Sequence, residues 1–234
     1  MTTAGHRGGH HPPPALVVEV GGPLACFTRP EYKSERLSYP VMTPSAARGV
    51  LEAIFWKPEF EYQITQIDVL SKIKWAAIRR NEVESMLTVD WVRKAMADTS
   101  VRYDVEDDRD QRNMVCLRDV DYRIHAQVRL RTHATEPIDK YRAMFRRRMD
   151  RGACFSQPFL GTREFSASYV RKLTDRPPIP HTEDLGVMLH SIEYGERGET
   201  YTWFLAELKD GVMHVPKEGR RLSSAEPAST RRDA

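Results

Sequence analysis

Apolar and polar positions follow two rhythms along this chain, one with a period near two and one near three and a half. Leu16 to Val20 is a β-branched run that predicts a first strand, broken by Gly21-Gly22-Pro23. Thr43-Pro44 marks a helix start, with Thr43 able to cap and Pro44 preset for the first helical position. The helix is predicted over Ser45 to Trp56 and stops before Pro58, with Ala47, Val50, Leu51 and Ile54 as its buried stripe. Arg48 and Phe55 share the flank of that stripe, which puts Phe55 at an edge of the core beside a cation.

Tyr62 to Leu70 alternates with one irregularity and predicts a strand, and Lys74 to Val83 predicts another that carries Arg79 and Arg80. Met86 to Arg112 is polar and acidic with weak periodicity, so it reads as a long connection. From Asp119 to Arg131 the alternation is clear. Val120, Tyr122, Ile124, Ala126, Val128 and Leu130 face one way, and Arg123, His125, Gln127, Arg129 and Arg131 the other, which predicts a half-exposed strand with a basic outer face. Lys140 to Gly152 reads as a helix ended by glycine, with Tyr141, Met144, Phe145 and Met149 on its apolar side. Beyond it, Glu164 to Arg171 and Gly186 to Glu193 read as strands. Tyr201 to Leu208 and Val212 to Val215 read as a hairpin around Asp210-Gly211.

These elements define an α+β class. Their order resembles a ferredoxin-like (RNA-recognition-motif-like) βαββαβ unit at the N-terminal end, followed by a small C-terminal antiparallel β-sheet domain. The expected organisation is a disordered tail over 1–14, a ferredoxin-like domain over 15–165, a small β domain over 166–218 and a second tail over 219–234. There is no internal repeat.

Composition refines this reading. Hydrophobic residues at 40% and charged residues at 29% fit a globular chain rather than a disordered one. No apolar run approaches the roughly 20 residues of a membrane span, so no membrane association is expected. The opening MTTAGHRGGHHPPP lacks the apolar core of a signal peptide, and three scattered cysteines make no disulfide framework, so a cytoplasmic location is expected. The net charge of +3 says little, but its distribution says more. Basic residues bunch at Arg79-Arg80, Arg146 to Arg148 and Arg220-Arg221, against an acidic run from Asp104 to Asp110. Such bunching fits either a polyanion partner or a solvated helix face plus a tail.

Motifs for nucleotide hydrolysis (GxxxxGK[ST]), acyl transfer (GxSxG), zinc proteolysis (HExxH) and dinucleotide binding (GxGxxG) are missing. The aspartates of the acidic run lack the glycine and distal glutamate of a calcium loop, and no metal or cofactor site is expected. His125 and His133 could serve as acid and base, or simply as surface histidines.

Five segments in order carry a resemblance: Gly22 to Arg36, Ser38 to Pro58, Ile78 to Val83, Leu117 to Tyr122 and Phe155 to Phe165. Together they resemble the fifth Cas family of CRISPR systems, in its type I-C (Dvulg) branch, over about residues 16 to 215. The resemblance implies a metal-independent endoribonuclease that cuts CRISPR repeat RNA and then keeps the guide's 5′ end as a subunit of a type I-C interference complex. Attack by a ribose 2′-OH on the adjacent phosphate would leave a cyclic phosphate and a 5′-OH. That chemistry needs a proton acceptor, a proton donor and a cation at the crowded phosphate.

The family's positions for these roles correspond to Phe55, Lys140 and Tyr141. Phe55 has no ionisable group and can only stack or pack. A phenol, as at Tyr141, is a poor base at neutral pH unless a nearby cation lowers its pKa. Lys140 keeps the family identity and is the candidate for phosphate stabilisation. The departures at Phe55 and Tyr141 keep open an alternative in which the chain is a non-catalytic guide-RNA scaffold. Arg48, Arg79, Arg80, Arg146, Arg147, Arg148 and Arg163 are candidate RNA contacts. Trp56 and Phe27 could stack bases or belong to the core, and Gly161 could admit RNA closely or simply turn the chain.

Overall fold

The chain runs through β1 (Leu16–Ala25), β2 (Arg36–Leu37), α1 (Pro44–Ile54), β3 (Phe60–Val69), β4 (Trp75–Val83) and α2 (Val89–Ala97). It continues through β5 (Arg109–Leu130), α3 (Ile138–Asp150), β6 (Tyr169–Arg171), β7 (Glu183–Gly195), β8 (Gly198–Lys209) and β9 (Val212–His214). The structure is a computed structural model that describes residues 16–32, 35–195 and 198–221. The expected N-terminal tail, and residues 222–234 of the C-terminal one, lie outside the described residues.

The architecture is mixed α/β, built on a mostly antiparallel sheet with the order β6-β1-β5-β3-β9-β8-β7. β5 organises it. Its C-terminal half lies between β1, where Leu16 opposes Ala126, and β3, where Phe60 opposes Leu130. Its N-terminal half pairs with β4, from Trp75 opposite Leu117 to Val83 opposite Arg109, and forms an arm. The irregularity expected in β3 is a register shift between Ile64 and Gln66. Alternating residues of β5 (Val120, Tyr122, Ile124, Ala126 and Val128) are buried on one face, where α1 and α3 pack. Among the described residues no helix is long and apolar enough to cross a membrane.

Local chemistry sets both main helices. The Thr43 hydroxyl accepts from the Ala46 amide at 3.3 Å and Pro44 occupies the first turn of α1. Phe55 is already extended (φ −155°, ψ 122°), so the helix ends at Ile54 rather than at Trp56. After α3, Gly152 takes φ +63° while the Ala153 amide returns to the Arg148 carbonyl at 2.9 Å, which closes the helix end.

Four sequence expectations need correction. β1 passes through Gly21-Gly22-Pro23 to Ala25, because a side chain at Gly21 would run into Asp121 and the Tyr169 hydroxyl; the glycine admits a close approach instead of breaking the strand. The stretch 86–112 is no simple connection, for it holds α2 and the start of β5. Only Tyr169–Arg171 of the expected strand 164–171 is a strand, paired with β1. The outer face of β5 is not uniformly exposed, since Arg123 is buried there under residues 174–176.

Gly161 has φ +89°, and a Cβ there would collide with the Cys26 carbonyl, so this glycine serves contact within the protein. The Cys26 amide also donates to the neighbouring Leu160 carbonyl at 3.0 Å. Gly161→Ala is expected to cost at least about 2 kcal/mol, combining left-handed strain with a displaced backbone. Calorimetry should record a melting temperature lower by about 4 °C or more, for a chain of this size.

Candidate functional site

α3 turns about 100° per residue, so Lys140 and Tyr141 point to different surroundings. Tyr141 is 2% exposed and enters an aromatic cluster with Phe60 at its centre. The Phe60 ring lies 5.1 Å from Tyr141, 5.6 Å from Phe55 and 5.1 Å from Tyr62, and Tyr62 meets Phe145 at 5.8 Å. The Tyr62 hydroxyl donates to the Phe55 carbonyl at 2.7 Å, and burial pushes its phenol far up. The Tyr141 hydroxyl is buried with no hydrogen-bond partner among the described residues. Lys140 faces outward and pairs with Glu136 at 2.5 Å, one turn back on the approach to the helix. The structure thus brings Phe55 and Tyr141 together around Phe60 and sets Lys140 on the rim.

Phe55 is 3% exposed, deeper than the edge position expected, and the cation beside it differs from the one expected. Arg148 holds its guanidinium 5.5 Å from the Phe55 ring and donates to the Ile54 carbonyl at 3.2 Å. Arg48 instead pairs with Glu52 at 3.7 Å and lines a separate cavity of about 250 Å³ with Arg129 and Lys217. Arg146 and Arg147 are exposed along α3. Arg79 is exposed on β4, whereas Arg80 donates to Glu164 at 2.8 Å, as does Arg36 at 3.0 Å. Partial burial alone would raise the Glu164 carboxyl, but the polar groups around it, with Arg80 and Arg36 donating directly, outweigh burial and hold it at about 2. Arg163, next in sequence to Glu164, is exposed beside this cluster. The candidate cations therefore occupy three places: α3, the middle of the arm with the adjoining Arg163, and the Arg48 cavity. Trp56 is 51% exposed, and Phe27 is core.

Sequence reasoning missed the buried ionic network on the opposite face. Arg123 sits directly between Glu19 on β1 and Asp68 on β3 and donates to them at 2.8 and 3.4 Å. Glu19 also receives Arg171 at 3.1 Å and the amide and hydroxyl of Thr174 at 3.1 and 2.9 Å. Burial pushes the Glu19 carboxyl up, but these donors more than reverse it and hold the group at about 2. His125 adds a contact to Asp68 at 3.0 Å. The available signal was Glu19, the one charge within the apolar run from Leu16 to Val20.

With sheet, helices and cations in place, comparison with known proteins identifies the class: the chain belongs to the CRISPR-associated protein (Cas_Cas5) family, whose model matches residues 15–216. Two relatives narrow this to the type I-C branch. The "CRISPR pre-crRNA endoribonuclease Cas5d" of Mannheimia succiniciproducens is 44% identical over 212 residues, covering 85% of this chain and 93% of the relative. The protein of the same description from Thermus thermophilus is 41% identical over 221 residues, covering 87% and 92%. Solved structures share the fold. A crystal structure of a CRISPR-associated protein superposes with a TM-score of 0.62 at 23% identity, over 86% of this chain and 91% of the other. A chain of a CRISPR RNA-guided surveillance complex gives 0.52 at 15% identity, over 88% and 90%.

Proposed function

We infer that this protein is a CRISPR pre-crRNA endoribonuclease that cleaves repeat RNA and retains the guide as a subunit of a type I-C interference complex. The observation that carries this is the 44% identity to a pre-crRNA endoribonuclease across 93% of that relative's length. It acts in the cytoplasm on CRISPR repeat RNA and assembles with the other complex subunits. The order β6-β1-β5-β3, with α1 and α3 against one face, supports a ferredoxin-like N-terminal unit. The β7–β8–β9 ladder supports a small β unit after it, and we place the division after β6, past the residue 165 expected from the sequence.

In the proposed reaction the ribose 2′-oxygen forms a bond to phosphorus as the bond to the 5′-oxygen breaks. The 2′ proton passes to a base, and a proton reaches the leaving oxygen, giving a cyclic phosphate and a 5′-OH. Lys140, on the rim, supplies the cation for the phosphate. Tyr141 lies one residue further in, with an uncommitted hydroxyl for proton transfer. Phe55 packs against Phe60 and holds Arg148 in place.

The second reading, a guide-RNA scaffold without cleavage, is favoured by the burial of Tyr141 and by the pairing of Lys140 with Glu136. The two separate in one assay. Purified protein incubated with its repeat hairpin in EDTA is expected to give a single cut with a 5′-OH product. Tight binding with no cut leaves the scaffold.

A further inference from the structure

Residues 152–157 return from the end of α3 onto the end of α1 and are fixed there. The Phe155 and Ser156 amides both donate to the Ala53 carbonyl, at 2.7 and 3.1 Å, and so satisfy a helix-end acceptor. Yet the Phe155 side chain is 83% exposed. An aromatic ring held on an anchored backbone and left uncovered suits a planar partner. Behind this loop lies a cavity of about 280 Å³ lined by Ile54, Met149, Cys154, Gln157, Ala167 and Tyr169. Gln157 also lines a neighbouring cavity of about 320 Å³ that Arg163 and Phe159 help to close. Its amide nitrogen reaches the Pro158 and Ala167 carbonyls at 3.5 and 3.3 Å, which leaves the amide oxygen to accept from a base-edge N–H. Arg147 and Arg151 stand exposed on the approach from α3.

We propose that the loop and these cavities form a pocket for one unstacked nucleobase of the bound RNA. Phe155 stacks the adjacent base, Gln157 meets the base edge and Arg163 lies toward a phosphate. Single-stranded RNA is recognised in this manner, by splayed bases against aromatic rings within a cationic surround. The inference rests on the RNA-processing reading above and adds the residues that select one nucleotide.

Cys154 provides a probe in the pocket wall. It is the exposed one of the three free thiols, while Cys26 and Cys116 are buried and burial pushes both up. Saturating repeat RNA is expected to slow reaction of Cys154 with a thiol reagent by roughly tenfold or more. Phe155→Ala is expected to weaken repeat binding by roughly fivefold to hundredfold, the range for loss of one stacked base, and Gln157→Ala by roughly twofold to tenfold, the range for loss of one hydrogen bond. The melting temperature of Phe155→Ala should be unchanged, because the ring is exposed. An abasic site at the stacked nucleotide should match the loss in Phe155→Ala and add nothing to it, and Gln157→Ala should add nothing to an abasic site at the pocket nucleotide. If the parent chain binds the repeat but Cys154 reacts at its free rate and both variants bind normally, the pocket is overturned. Protection of Cys154 by partner subunits but not by RNA also overturns it. A parent chain that does not bind the repeat overturns the RNA reading itself, and the pocket with it.

Discussion

Arg123→Met is expected to cost about 3–5 kcal/mol of folding stability, the range for removing one partner from a buried ion pair. Methionine keeps most of the side-chain length, so the loss reports charge more than volume. Without the guanidinium, Glu19 at 0% exposure and the buried Asp68 face each other across β5 with their main cation gone. The carbonyls of Thr174 and Arg176, which accept from Arg123 at 2.9 and 2.6 Å, lose their donor as well. Chemical denaturation followed by circular dichroism measures the change, and the double variant Arg123→Met with Glu19→Gln should recover part of it. A loss under about 1 kcal/mol in the single variant would show that the network does not hold the strands together.

The same network fixes the direction of the acid response. Glu19 titrates at about 2 in the folded chain and at 4.5 in its ordinary state. Its folded pKa is depressed, so its contribution is complete above about 4.5 and is lost as pH falls from there toward 2. Asp68 is also lowered, by hydrogen bonds from His125 and Gln66 that outweigh burial, and so works in the same direction. Stability should fall steeply with acid over this window in the parent chain and less steeply in Glu19→Gln.

Particular residues show what the sequence revealed about the fold. Thr43-Pro44 announced α1 because capping is a short-range event. Asp210 and Gly211 take φ of +47° and +77°, the left-handed pair of a tight hairpin that their identities suggested. The alternation in β5 was legible from Val120 to Val128, where one face meets the helices. It failed from Arg109 to Asn113, where the strand lies on an arm with no buried residue to set a pattern. α2 has no buried residue either, so it shows no core stripe against which to recognise it.

Arg123 shows the limit most clearly. Alternation placed it on the second face of the sheet, as observed, but only the later residues 174–176 cover that face. Which cation meets Phe55 was hidden for the same reason. Arg48 lies on the helix that leads into Phe55, whereas Arg148 arrives from α3, and a contact made across elements leaves no mark in local spacing.

Tyr141→Phe and Lys140→Ala should separate chemistry from packing, with the largest changes in activity. Lys140→Ala is expected to lower single-turnover cleavage of the repeat by at least about 100-fold, the scale for losing one charge-stabilising group. Affinity should change by less than about tenfold, since one phosphate contact among several is lost. The fold should be unaffected, because Lys140 is exposed and its pair with Glu136 is a surface one. Tyr141→Phe keeps the ring against Phe60 and deletes a buried hydroxyl that has no partner among the described residues. Removing an unsatisfied buried polar group should leave stability equal or raise it, by up to about 1–3 kcal/mol. If the phenol transfers the proton, cleavage should nevertheless fall by about 10²- to 10⁴-fold with RNA binding retained. A variant that melts higher and cuts slower would show a hydroxyl kept for chemistry at the expense of packing. A Tyr141→Phe protein that cuts at the parent rate would assign the ring to the core and leave Lys140 as the catalytic group of this pair.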